Sequence, residues 1–329
     1  MATSATSSPS KVPSAAPSDS PVIQLVHISK RFGQRLAVED LSLHVPRGEI
    51  YGLLGHNGAG KSTAIGMMLG QVWPASGQVR ICGHDVTRDR RRALSKVGAI
   101  FESPAFYDYL SGWRNLEILS SYTAPTPPRR IREIIQWVGL SGREHSKVRT
   151  YSHGMRARLA LAQTLLPQPE LLILDEPSDG LDPEGIHEMR QTIRRLHREM
   201  GLTILLSSHF LNEVEQLCSR IAVLSKGKKV FEGSLAQTRC CERRVRLQTR
   251  DFARAAQQLA AAGLIRDAAP PAGLLALQDG VQTHQVARFL VERGFPLDGI
   301  APEERTLEDF YLSLMETERG GTPPPRPAN

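Results

Sequence analysis

The chain contains no run of roughly 18 or more uninterrupted apolar residues, the length a membrane-spanning helix needs. The nearest approach, residues 159–174, is broken by Gln163, Pro167, Gln168, Pro169 and Glu170, so it reads as soluble core. An apolar leader is also missing. Residues 1–21 are rich in Ser, Ala, Pro and Thr and lack the roughly 7–15-residue hydrophobic stretch of a secretory signal, which predicts a disordered tail on a protein that stays in the cytoplasm. Cysteine is scarce. Cys82, Cys218, Cys240 and Cys241 show neither CxxC nor zinc spacing, which excludes a disulfide scaffold and a zinc finger and leaves reduced thiols. No internal repeat is present. Charge of one sign is in small excess: 41 Lys and Arg against 34 Asp and Glu, a net +7. The arginines cluster at 90–92, 129–132 and 239–246, which gives some motive for nucleic acid or anionic lipid, but interspersed acids favour solvated helix faces.

The 329 residues, 40% of them apolar, suffice for about two domains. From residue 21 to about 233, short β-branched runs alternate with longer helical patterns, the signal of an α/β domain with a largely parallel core sheet. Strands are expected at 22–27, 41–45, 50–54, 97–101, 171–174, 204–207 and 221–224. Between residues 110 and 166 the strand signal gives way to helical patterns at 113–122, 129–138 and 154–166, a helical insert. The expected division is a tail at 1–21, a first domain at 22–238 with its insert at about 103–166, a small α+β unit at 239–318 and a disordered tail at 319–329. Within the α+β unit, strands are expected at 245–248 and 274–278, and helices at 252–262, 282–294 and 307–316.

The strongest local signal follows the apolar run 50–54. Gly55, His56, Asn57, Gly58, Ala59, Gly60, Lys61, Ser62 and Thr63 fit GxxxxGK[ST] directly after a strand. Glycines at 55, 58 and 60 let the backbone turn tightly and aim its N–H groups inward, and the following helix adds the positive end of its dipole. Lys61 can then reach β- and γ-phosphates, and the Ser62 hydroxyl can bind Mg²⁺. A phosphate cradle needs a second metal ligand. Asp175, emerging from the apolar run 171–174, supplies a carboxylate at the strand end where ligands of open α/β sheets collect. Glu176 follows at once, suited to polarise an attacking water. His209 closes the next apolar run and belongs on the same sheet edge, where it can hydrogen-bond the γ-phosphate.

With these residues together, the chain resembles the ATP-binding subunit of an ABC transporter over about residues 22–233. Tyr151, Ser152, His153, Gly154 and Met155 stand where that family has its LSGGQ signature, and Pro177-Ser178-Asp179-Gly180-Leu181-Asp182 is similar to its D-loop. The resemblance identifies His209 with the switch histidine. It makes Phe32, in Lys30-Arg31-Phe32-Gly33, the aromatic that stacks on adenine; the alternative is a core aromatic of an early strand. It implies that two subunits meet head to tail with ATP between the phosphate loop of one and the signature of the other. Ser152 and the Gly154 backbone would then touch the partner's γ-phosphate. The expected cofactors are ATP and Mg²⁺. The expected partners are a second copy or a paralogue and an integral membrane permease, which places the chain at the cytoplasmic face of the membrane.

The sequence departs from the family pattern at two places. Glu102 replaces the Q-loop glutamine and looks like the branch that includes bacitracin- and lantibiotic-resistance exporters. As an acid it can still coordinate Mg²⁺, at the cost of charge beside the triphosphate. The signature carries His153 for a glycine and Met155 for glutamine. The insert implies a permease contact region at 102–116, with Phe106, Tyr107, Tyr109 and Trp113 as anchors or as core aromatics. The end segment 306–312 is similar to the tail of ABC-2-type exporter ATPases. The competing readings are a soluble ABC ATPase acting on nucleic acid or the ribosome and a binding-only regulator. A single phosphate loop without long heptads or CxxC disfavours the first, so no nucleic acid is expected, and Glu176 with His209 disfavours the second.

Overall fold

A computed structural model describes residues 20–101, 105–123, 125–239, 244–269, 273–303 and 306–318. Glu102 lies outside them. The central sheet is six-stranded. Its members are β3 (Ile50–Leu54), β6 (Val97–Ile100), β7 (Leu171–Asp175), β8 (Thr203–Ser208), β9 (Arg220–Ser225) and β10 (Lys228–Ser234), ordered β10-β9-β3-β8-β7-β6. All pairs are parallel except β9 with β10. A parallel sheet is buried on both faces, which is why its strands read as unbroken apolar runs.

Successive side chains of a strand point to opposite faces, so each run feeds two cores. Ile50, Leu54, Leu172, Leu174, Ile204 and Leu206 enter one hydrophobic cluster. Their neighbours Tyr51, Leu53, Leu171, Ile173 and Leu205 enter the other. The second core is closed by an antiparallel sheet of β1 (Ile23–Phe32), β2 (Arg35–Val45), β4 (Ser76–Ile81) and β5 (His84–Asp85), ordered β2-β1-β4-β5. Helix α1 (Lys61–Met68) packs into the same core, and α2 (Arg90–Leu94) contacts β4 and β5. The apolar pattern located β1 and β2 but fell short of their polar ends. It passed over β4 and β10, whose Ser, Gly, Lys and Glu content hides the alternation.

The first core is covered by the helical insert: α3 (Gly112–Thr123), α4 (Pro128–Trp137) and α5 (His153–Thr164). In α4, Pro128 occupies the first turn, where its missing N–H costs nothing, and Ile131, Ile134 and Ile135 form the buried stripe. Buried Asn115 pins the approach to α3, accepting from the Tyr107 N–H at 2.8 Å and donating to the Tyr107 and Ser111 carbonyls. That leaves Tyr107 and Tyr109 exposed while Phe106 and Trp113 pack against the first core. Helix α6 (Pro183–Met200) is capped by Asp182 and ends at Gly201, whose φ of 67° suits glycine. Helices α7 (Leu211–Leu217) and α8 (Leu235–Arg239) follow.

The C-terminal unit runs β11 (Arg244–Gln248), α9 (Phe252–Ala261), β12 (Ile265–Ala269), β13 (Leu274–Leu277), α10 (Thr283–Glu292) and β14 (Gly299–Glu303). Its all-antiparallel order, β12-β13-β11-β14, is the split βαβ arrangement, with a core of its own. The final helix, α11 (Leu307–Glu318), leaves that core. Leu307 and Phe310 are buried in the first cluster, the helix packs on α7 and α8, and the Phe310 ring meets Phe231 edge-on at 4.7 Å. Among the described residues, no helix is long and apolar enough to cross a membrane.

Candidate functional site

Strands β3, β8 and β7 are adjacent and parallel, so the residues just beyond their carboxyl ends meet at one edge. The loop 55–60 leaves β3 and closes onto α1. Gly60 sits at φ 106°, and a Cβ there would lie 2.7 Å from the Ala37 carbonyl oxygen. A Cβ at Gly55 would lie 2.6 Å from the Leu224 carbonyl. Side chains are therefore excluded at both positions by the neighbouring backbone. Lys61, only 4% exposed, folds back over the loop and donates to the Gly55 carbonyl at 2.7 Å.

Asp175 ends β7 and accepts a hydrogen bond from the Ser207 hydroxyl of β8, which itself accepts from the Glu176 N–H at 3.0 Å. Glu176 sits at φ 48°, a left-handed conformation rare for a non-glycine residue and frequent at functional sites. The kink directs its carboxylate to two partners. One oxygen lies 3.2 Å from Lys61 Nζ and the other 2.7 Å from His209 Nδ1. The side-chain oxygens of Glu176 and Asp179 and a ring nitrogen of His209 lie within 4.8 Å of one another, a group able to hold a cation. Ser62 and Asp175, both hard oxygen donors of the kind Mg²⁺ takes, line one cavity of about 550 Å³ with Glu176 and Asp179.

A neighbouring cavity of about 410 Å³ is lined by Phe32, Arg35, Asn57, Lys61, Thr63 and Glu176, among others. Phe32 is 50% exposed at the end of β1, so the core-aromatic alternative does not hold. His56 is exposed and bonds to the Asn57 carbonyl, Ala59 is buried, and Gly58 accepts from Arg35. Arg35 is a member of this wall that the sequence left unread; its place beside the aromatic was the available signal.

The signature segment lies apart from that pocket. Tyr151 is buried and donates to the Arg143 carbonyl at 2.8 Å; burial raises its phenol pKa. This anchors the next residue, Ser152, which caps α5 by accepting from the Met155 N–H at 3.2 Å. Ser152 and Gly154 open into a separate cavity of about 490 Å³, shared with Gly180, Asp182 and Glu184. His153, between them, lines that cavity and also the one of Ser62 and Asp175. One chain therefore does not bring Ser152 and Gly154 to the wall that holds Lys61.

Tyr311 of α11 was not anticipated at the site. It lines a pocket of about 310 Å³ with His56, Asn57, His209 and Leu211, and its hydroxyl meets the His56 backbone. No local pattern signals this contact, because α11 and the phosphate loop are about 250 residues apart in the chain.

A phosphate loop on a parallel sheet, carboxylates at the neighbouring strand end and a helical insert bearing a capped signature helix define an ATPase of the ATP-binding cassette type. Residues 38–179 match the ABC transporter family. The bacitracin transport ATP-binding protein BcrA of Enterococcus faecalis is 36% identical over 296 residues, covering 89% of this chain and 96% of that protein. The uncharacterized ABC transporter ATP-binding protein YhcH of Bacillus subtilis (strain 168) is 46% identical over 209 residues, 64% of this chain and 68% of its own length. A solved ATP-binding subunit of an ABC transporter, 28% identical, superposes with a TM-score of 0.60 over 66% of this chain and 92% of that one. The chain belongs to the ABC transporter ATP-binding proteins: it is an ATP-binding, ATP-hydrolysing transporter subunit.

Proposed function

We propose that this subunit powers a separate integral membrane permease of the ABC-2 exporter type, through head-to-tail closure of two ATP-binding subunits. The observation that carries the reading is the separation of the two half-sites. Lys61, Glu176 and His209 share one edge, while Ser152 and Gly154 open into another cavity, so a complete phosphate enclosure needs a second chain. That second chain is another copy or a paralogue. The cargo is a drug, peptide or lipid-like molecule, a reading supported by the relative named for bacitracin transport, and the exposed Tyr107 and Tyr109 beside the half-buried Phe106 and Trp113 form the docking face for the permease. The chain thereby sits at the cytoplasmic face of the membrane. Residues 22–238 form the ATPase domain and 239–318 an accessory α+β unit whose last helix returns to the first core.

In this mechanism Phe32 stacks on adenine, and the N–H groups of the loop 55–63 with the α1 dipole receive the phosphates. A triphosphate outcompetes a single carboxylate for Lys61, which frees Glu176 to accept a proton from the attacking water. His209, oriented by its Nδ1 bond to Glu176, directs its other ring nitrogen to the γ-phosphate. The Ser62 hydroxyl and the Asp175 carboxylate would hold Mg²⁺, joined by Glu102 in the Q-loop position; the ion supplies neutralisation of phosphate charge. Driving closure from 1:99 to 99:1 needs about 5.5 kcal/mol of differential binding, within reach of several charge-assisted hydrogen bonds.

The test is a pair of variants. Lys61→Ala abolishes ATP binding, whereas Glu176→Gln retains binding, loses turnover and accumulates as a closed dimer in size-exclusion chromatography with ATP. Wild-type hydrolysis by Glu176→Gln would show that Glu176 is not the general base.

A further inference from the structure

The site contains one buried acid that the mechanism above does not use. Glu213, on the first turn of α7, is 4% exposed. Its two oxygens go to two different segments. Ser178 of the 177–182 loop donates to Oε1, and Ser208 at the end of β8 donates to Oε2 at 2.7 Å. Both serines are themselves buried, and the Ser208 hydroxyl also accepts from the Phe210 N–H at 3.0 Å. Among the described residues, the partners of Glu213 are hydroxyls and not a cation.

A carboxylate buried on a short helix is costly, and packing alone would be served better by an apolar side chain. What the acid provides is two strong acceptors facing opposite ways. Ser178 lies two residues after Glu176, and Ser208 lies immediately before His209. Glu176 and His209 are bonded to each other at 2.7 Å. The contacts therefore form a closed ring: Glu176 along the chain to Ser178, across to Glu213, on to Ser208, along the chain to His209 and back to Glu176. Asp179 and Gly180, next to Ser178, are exposed; Gly180 lines the signature cavity and Asp179 the cavity of Ser62 and Asp175.

We propose that Glu213 is a positioning residue that ties the 177–182 loop to the strand bearing His209, so that displacement of that loop is transmitted to the Glu176–His209 pair. This inference rests on the ATPase site reading above. A ring of this kind moves as a unit. A partner subunit that presses on Asp179 and Gly180 shifts Ser178, and through Glu213 it shifts Ser208 and the imidazole beside it. Hydrolysis thereby becomes conditional on how the loop is engaged, without any new contact to ATP.

The test uses the purified full-length chain. Ser178→Ala removes one strut, with an expected fall in kcat of about tenfold, the effect of one lost charge-assisted hydrogen bond. The KM for ATP stays near wild type, while the melting temperature falls modestly because one oxygen of a buried carboxylate loses its donor. Ser178→Thr, which keeps the hydroxyl, restores kcat. Ser208→Ala behaves in the same way, and the double variant is no worse than the worse single one, because both act through one carboxylate. In a His209→Ala background, Ser178→Ala has no further effect. The proposal is overturned if Ser178→Ala turns over at the wild-type rate, if it lowers kcat by the same factor with and without His209, or if kcat and melting temperature fall together without rescue by threonine. A normal rate in Ser178→Ala alongside an inactive Glu176→Gln would reject this tie and leave the site reading standing.

Discussion

The fate of single side chains here is decided by what faces them at the sheet edge. Lys61 and Glu176 are held together at 3.2 Å with Lys61 almost fully buried; in the proposed mechanism triphosphate rearranges this pair. Cys218 shows the same control by surroundings on a group with no chemical role. Burial first, and the Glu213 charge second, raise its thiol pKa well above the ordinary cysteine range. A raised pKa keeps the thiol protonated and unreactive, since the thiolate is the nucleophile. At about pH 8, Cys218 therefore resists iodoacetamide in the folded protein and is alkylated only after denaturation, which site-resolved mass spectrometry measures. Labelling of Cys218 at the rate of a free thiol would contradict its burial.

Elements act through their ends and their seating. The α5 N-terminus is held in place by buried Tyr151 and by the Ser152 cap, bonds that use neither the His153 nor the Met155 side chain. Helix α11 acts by position: it lays Tyr311 beside the phosphate loop and His209. Tyr311→Ala removes that packing and the contact with the His56 backbone. The expected loss is about 1–2 kcal/mol of stability, together with weaker ATP binding. Thermal denaturation and nucleotide titration read the two effects, and Tyr311→Phe retains most of the first. If Tyr311→Ala bound ATP as tightly as wild type, the helix would be a cover for α7 and α8 alone.

At the scale of the molecule, Ser152 and Gly154 open into a cavity that Lys61 does not line, and the proposed mechanism completes the site with a second chain. ATPase activity of the purified chain should therefore rise more steeply than linearly with protein concentration until the dimer saturates. A specific activity independent of concentration across a dilution series would mean that a monomer suffices. Affinity purification from detergent-solubilised membranes should bring down a polytopic permease in near-equal amount; recovery of ribosomal or DNA-bound material instead would favour the soluble reading.

By itself, the sequence determined the chemistry and much of the scaffold, because both are written locally. A phosphate loop needs Gly55, Gly58, Gly60, Lys61 and Ser62 contiguously, and a strand buried on both faces needs runs such as 50–54 and 171–174. Asp175, Glu176 and His209 were legible because each follows such a run. The polar strands β4 and β10 were not, since their apolar alternation is diluted. Nor were β12 and β14, short strands of the C-terminal sheet with little apolar pattern. Only the tertiary structure decided which strands stand side by side, and so which groups meet. The order β3-β8-β7 brings Lys61, Glu176 and His209 together. Burial of α7 turns Glu213 into a bridge between two hydroxyls, and the return of α11 sets Tyr311 against a loop distant in sequence. Those contacts join residues far apart along the chain, and their loop-closure entropy is repaid only when both cores form at once.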